Sequence, residues 1–271
     1  MLGKLLKHEF KSTYKVMITI FAIMTAVTLL GMAVFRLCDI TSSTTPTSMV
    51  IVAIIYLVIY FISILAFMII SYVYLALHFY KTMYSAQGYL THTLPVKPLT
   101  TFHVKSAVSV IWMLLVSILT ALSTFGLIYS LMDPMIWEFI SPDLFASFEN
   151  IAFELYGLTM VEYTALIIVS MILSPILTMM MIGLACSIGQ LFSRQKVAAS
   201  IVTGIILYFV NQMINTAVSI PQLVETDLSD YSGIAANYGP TIWASLGISA
   251  AFALICYIGC NIIVRKHINL E

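Results

Sequence analysis

Histidine, cysteine and carboxylate are the groups in this chain able to do acid–base, nucleophilic or metal chemistry. The five histidines are His8, His78, His92, His103 and His267. The four cysteines are Cys38, Cys186, Cys256 and Cys260. Neither set shows zinc-ligand spacing or a disulfide framework. Cys256 and Cys260 stand four apart in an apolar run, where they share a helix face as small packing residues. His92 and His103 are close enough in sequence to meet, but solvated histidines are the simpler reading. Carboxylates concentrate at Asp133, Glu138, Asp143, Glu149, Glu154 and Glu162, with no basic residue among them. An outer-face enzyme would have to be built from these. They lack the spacing and the glycine turn of a calcium loop. Phe145, Phe148, Ile151 and Leu155 recur among them at helical spacing, which predicts an interfacial helix instead. No G-x-x-x-x-G-K-[ST], H-E-x-x-H or G-x-S-x-G occurs. The chain is therefore expected to carry no catalytic residue, no metal and no ATP site of its own.

The elements around these groups are apolar. Of 271 residues, 61% are hydrophobic and 9% are charged. Mean hydropathy is +1.03. So few charges cannot cover a soluble surface, since ordinary domains carry about 25%. Runs of about 20 apolar residues cross a bilayer as helices. Six such spans are expected, at about 16–35, 49–77, 106–132, 163–190, 197–220 and 240–264. None has a charge in its middle. The runs are continuous and do not alternate, which argues against a barrel. The fold class is therefore an all-α integral membrane protein, a single domain over 1–271. Pro175 is expected to kink the fourth span. The first run is read as an uncleaved span, being long for a signal peptide and lacking an A-x-A-like site.

Basic residues fall in alternate connections. Lys4, Lys7, Lys11 and Lys15 precede the first span, and Lys81, Lys97 and Lys105 lie around the second connection. Arg194 and Lys196 follow the fourth span, and Arg265 and Lys266 the last. Only Arg36 departs from this pattern. The positive-inside rule puts both termini in the cytoplasm and makes 133–162 an extracellular acidic loop. Over 1–15, Leu2, Leu6, Phe10 and Thr13 recur on one side and Lys4, His8, Lys11 and Lys15 on the other. This predicts an amphipathic interfacial helix, with Lys4, Lys7, Lys11 and Lys15 anchoring it to anionic lipid at about 1 kcal/mol each.

Four features remain. Asn211, Gln212 and Asn215 cluster in the fifth span. They either line a pathway or act as interhelical glue. Gly183, Ala185, Ser187 and Gly189 give small-xxx-small spacings that let helices approach closely. Several tyrosines (Tyr56, Tyr60, Tyr72, Tyr74) enrich the second span, some as belt residues. Between the second and third spans, 78–105 holds YSAQGYLTHTLPVKPLT. Its prolines mark a turn, and Thr100 is placed to cap the third helix. Tyr84 to Thr93 is expected to be a short helix or ordered loop, suited to receive a partner.

That segment, after the basic start LGKLLKHEFKSTYKV and within six spans, resembles the permease subunits of ABC-2-type transporters, particularly small Gram-positive permeases. Gly88, Tyr89, Leu90, Thr91, Thr93, Leu94, Pro95 and Val96 match their loop, while Gln87 replaces the acidic residue usual before the glycine. In layout the resemblance covers the whole chain; in motif it covers the first 105 residues. It implies a type V exporter-like architecture and a bacterial cell-membrane location. It implies two permeases paired as a homo- or heterodimer, each docked on a cytoplasmic ABC ATPase that binds ATP and Mg. The 1–15 helix would be the interfacial elbow. The 78–105 loop would be the coupling element, touching the ATPase through Tyr84, Gly88, Tyr89, Leu90, Leu94, Pro95 and Lys97. The substrate would be an exported peptide, antibiotic or lipid-like molecule. The alternative is a membrane scaffold or sensor component that binds another cytoplasmic protein through the same loop. Nothing points to nucleic acid.

Overall fold

The computed structural model describes residues 2–38, 46–85, 98–131, 149–150, 153, 158–192, 194–225 and 231–266. Six long helices carry nearly all of these: α1 (Leu2–Cys38), α2 (Thr47–Tyr84), α3 (Pro98–Leu131), α4 (Met160–Gly189), α5 (Lys196–Glu225) and α6 (Tyr231–Lys266). Each is long and apolar enough to cross a membrane. Among the described residues there is no strand.

The surface is the reverse of a soluble protein's. Ile62 and Ile69 of α2 are 58% and 62% exposed, whereas Thr28, Ser123 and Ser187 are 7%, 4% and 0% exposed. Apolar side chains facing outward need hydrocarbon around them, and buried hydroxyls need partners inside. The chain is a multi-pass membrane protein.

Every helix outruns the apolar stretch expected for it. Apolarity ends at the first charged residue, but Lys, Glu, Gln, Ser and Thr do not break a helix. α1 has 37 residues and extends about 55 Å at about 1.5 Å each. It passes Lys15 without a break, so no boundary separates an N-terminal helix from the first span. The face expected to meet lipid is occupied instead. Phe10 packs on Trp112 with ring centroids 5.5 Å apart, and Trp112 Nε1 donates to Thr13 Oγ1 at 2.9 Å. Packing on an aromatic face satisfies Phe10 as well as lipid would. α3 also departs from expectation: Pro98 opens it, and Thr100 is interior rather than a cap. Proline fits the first helical position, whose N–H has no acceptor in any case.

The residues fall into two compact units. The first holds 1–78 and 111–141. Here Phe21 touches both Phe67 and Trp112 at 5.8 Å, in tilted and edge-on pairs. Each such pair adds about 0.5–1.5 kcal/mol beyond area burial. Further along, Ser123 Oγ lies 2.5 Å from Thr28 Oγ1 and 2.6 Å from Tyr60 Oη. Three helices share this hydroxyl cluster. Tyr56 donates to the Val27 carbonyl, and its ring covers Gly31, where a Cβ would sit 2.6 Å from Tyr56 Cε1. Tyr56 and Tyr60 are thus internal hydrogen-bonding residues.

The second unit holds 79–110 and 142–271. α4 is its axis, packed against α5 and α6. A core of Leu177, Met181, Leu184, Ala253 and Cys256 joins α4 to α6. Pro175 is buried inside α4, which stays helical through it. At the start of α4, Thr159 and Glu162 form a reciprocal capping box. Glu162 N–H donates to Thr159 Oγ1 at 3.3 Å, and Thr159 N–H donates to Glu162 Oε2 at 2.9 Å. Glu162 therefore serves helix initiation.

Candidate functional site at the end of α4

The last two turns of α4 carry the small residues singled out in the sequence, and Gly183, Ser187 and Gly189 each meet a neighbour. At Gly183 a Cβ would stand 3.3 Å from the Phe102 ring and 3.6 Å from Cys260 Sγ. At Gly189 it would stand 1.9 Å from Ser200 Oγ and 2.8 Å from both Lys196 O and Ser200 N. Only glycine lets the start of α5 come this close. Ser187 is fully buried; its hydroxyl donates to the Gly183 carbonyl at 2.8 Å and lies 3.2 Å from Cys260 Sγ.

The end of α2 is seated on this surface. Tyr84 Oη lies 2.7 Å from Ser187 Oγ. One turn earlier, Tyr80 Oη accepts from Gln190 Nε2 at 3.2 Å. Gln190 caps α4, its N–H bonded to the Cys186 carbonyl. Phe79, buried, packs edge-on against Tyr84 at 6.2 Å and against Phe102 at 5.8 Å. Phe102 belongs to the start of α3. Both ends of the connection between α2 and α3 thus rest on α4. Beside Phe102, His103 faces Tyr257 of α6, ring centroids 5.7 Å apart.

Of the residues expected to touch a partner, Tyr84 is described, and its hydroxyl is taken up by Ser187. It anchors the base of the loop. Gly88, Tyr89, Leu90, Leu94, Pro95 and Lys97 lie outside the described residues, as does nearly all of 133–157, where the outer interfacial helix was expected. Lys4, Lys7, Lys11 and Lys15 are all exposed on α1. Asn211 and Asn215 are half-buried on one side of α5, and Gln212 is exposed. Asn215 Nδ2 donates to the Asn211 carbonyl at 2.9 Å, and Ser249 of α6 donates to Asn215 Oδ1 at 3.4 Å. Asn215 thus ties α5 to α6, while Asn211 bonds it within α5.

Sequence reasoning missed one pair. Glu9, buried in α1, lies 2.9 Å from His78 Nε2 in α2, and His78 stacks on Tyr74. The second span was expected to end at Leu77, one residue before His78. The signal was present: Glu9 is four residues from both Leu5 and Thr13, so it lies with the inward face and not with the lysines. Among the described residues no group of histidine, cysteine and carboxylate is arranged to hold a metal ion.

The buried hydroxyls, thiols and amides here fix helices to one another. Comparisons of the chain with protein families, with curated proteins and with solved structures found no match.

Proposed function

We propose that this chain is the membrane-spanning permease subunit of an ATP-binding cassette transporter in a bacterial cell membrane, exporting a peptide, antibiotic or lipid-like substrate. The observation that carries this reading is the segment GYLTHTLPV, placed between the second and third of six membrane-crossing helices. The absence of a P-loop from the sequence agrees with it, because the ATP is then hydrolysed on a separate cytoplasmic subunit. The alternation of basic connections puts both termini and the 78–105 loop on the cytoplasmic side. A second permease completes the translocation unit. The exposed Lys4, Lys7, Lys11 and Lys15 face the anionic inner leaflet. ATP-driven closure of the two ATPases moves the loops and alternates access.

The test is affinity purification of the tagged protein from its native membrane in mild detergent, with bound proteins identified by mass spectrometry. A stoichiometric ATP-binding subunit, lost in Tyr89→Asp, is the expected result. A folded protein that brings down no ATPase overturns the reading.

A further inference from the structure

We infer that Tyr80 and Tyr84 form a two-point latch that fixes the end of α4 to the base of the 86–97 connection, so that a load on that connection is delivered to α4. The inference rests on the permease reading for the source of the load and on geometry for its route.

The two bonds lie one helical turn apart on α2 and engage Ser187 and, three residues on, the capping Gln190 of α4. Tyr84 Oη meets Ser187 Oγ at 2.7 Å, and Tyr80 Oη meets Gln190 Nε2 at 3.2 Å. Apolar packing alone tolerates sliding and rotation of one helix on another. Two directional hydrogen bonds do not, because both hold only at one register and one rotation. The surroundings of the Tyr84–Ser187 bond favour keeping it. Ser187 and Cys260 are fully buried, so a hydroxyl released there finds no water.

The other side of the connection is closed by shape. Phe102 fills the space over Gly183, and Phe79 bridges Phe102 to Tyr84. A displacement of the connection therefore cannot be taken up by α2 alone. Beyond the latch, the route continues through Gly189 into the start of α5, whose Ser200 and Lys196 backbone atoms lie against it. Tyr80 and Tyr84 are positioning residues: they act through α4 and touch no substrate.

The test uses the full chain with its co-purified ATPase, in a Cys38→Ser background, with a spin label on Phe192→Cys. Phe192 is exposed just past the end of α4, while Cys186, Cys256 and Cys260 are buried. ATP and Mg should shift the label's spectrum. In Tyr80→Phe, and further in Tyr80→Phe/Tyr84→Phe, most of that shift should be lost, and in Tyr80→Phe ATPase binding and the rate of ATP hydrolysis should be unchanged. A merely structural pair of tyrosines would not separate hydrolysis from movement in this way. An undiminished shift in the double variant, or no shift in the parent complex, overturns the latch. Hydrogen exchange on the chain alone judges it without any partner: amides at the end of α4 should exchange faster in the double variant, and unchanged exchange overturns it. If no ATPase is recovered, the permease reading falls and the exchange result decides the latch.

Discussion

Glu9 Oε1 of α1 and His78 Nε2 of α2 stand 2.9 Å apart, with side chains 11% and 15% exposed. A carboxylate so placed cannot be replaced by water at full value. Glu9→Ala should lower the stability of the detergent-solubilised protein by about 1–3 kcal/mol, the range for a hydrogen bond to a charged group and the group it leaves behind. Glu9→Gln, which retains an acceptor, should lose less. Thermal unfolding of Glu9→Ala, His78→Ala and the double variant is the check. The double should cost clearly less than the two singles together. Additive losses would show that the pair contributes nothing as a pair.

Gly189 makes a sharper demand. Rotating Ser200 would relieve the closest clash of an added Cβ, but Lys196 O and Ser200 N are backbone atoms at 2.8 Å and stay in the way. Gly189→Ala should therefore push α5 off α4 and cost about 1–3 kcal/mol, as overpacking does. Gly247 is the control, since a Cβ there meets nothing within 4 Å. Gly247→Ala should be neutral or mildly stabilising. Equal melting temperatures for the two variants would remove the close approach of α4 and α5 from the account.

The six membrane helices were legible because a bilayer imposes a length, and six apolar runs meet it. Their ends were not, because the polar residues that flank a span continue a helix without cost. The N-terminal helix shows the deeper difficulty. Leu6, Phe10 and Thr13 form an apolar face by spacing, but spacing does not say whether lipid or Trp112 covers it. Glu9 was hidden among four lysines for the same reason, since charge was read before face. The end of α4 was better placed for reading: Gly183, Ser187 and Gly189 lack bulk, and each lies against a neighbouring residue. What could not be read was that Tyr84, at the head of a loop expected to meet a partner, turns its hydroxyl inward to Ser187.

The same distinction separates two kinds of loop variant. Leu94→Asp places a charge in the 86–97 connection and leaves Tyr80 and Tyr84 themselves unaltered. It should abolish co-purification of the ATP-binding subunit while leaving insertion and thermal stability unchanged. Ser187→Ala should do the opposite, keeping the ATPase bound and lowering stability by about 1 kcal/mol through the unpaired Tyr84 hydroxyl. ATPase recovered undiminished with Leu94→Asp would count against the connection as the docking element.

Asn211, Gln212 and Asn215 were expected either to line a pathway or to hold helices together, and the geometry separates them by residue. Asn215 bridges Asn211 to Ser249, whereas Gln212 is exposed on α5. Interhelical hydrogen bonds in membranes contribute about 0.6 kcal/mol on average and up to about 1.7. Asn215→Ala should cost stability within that range, and Ser249→Ala should cost no more once Asn215 is gone. Gln212→Ala should leave stability unchanged, because it breaks no bond between α5 and α6. Its effect would fall on whatever covers that side of the helix. If Gln212→Ala impairs export while stability holds, the polar side of α5 serves the pathway through Gln212. If Asn215→Ala impairs export at full stability, Asn215 does more than tie α5 to α6.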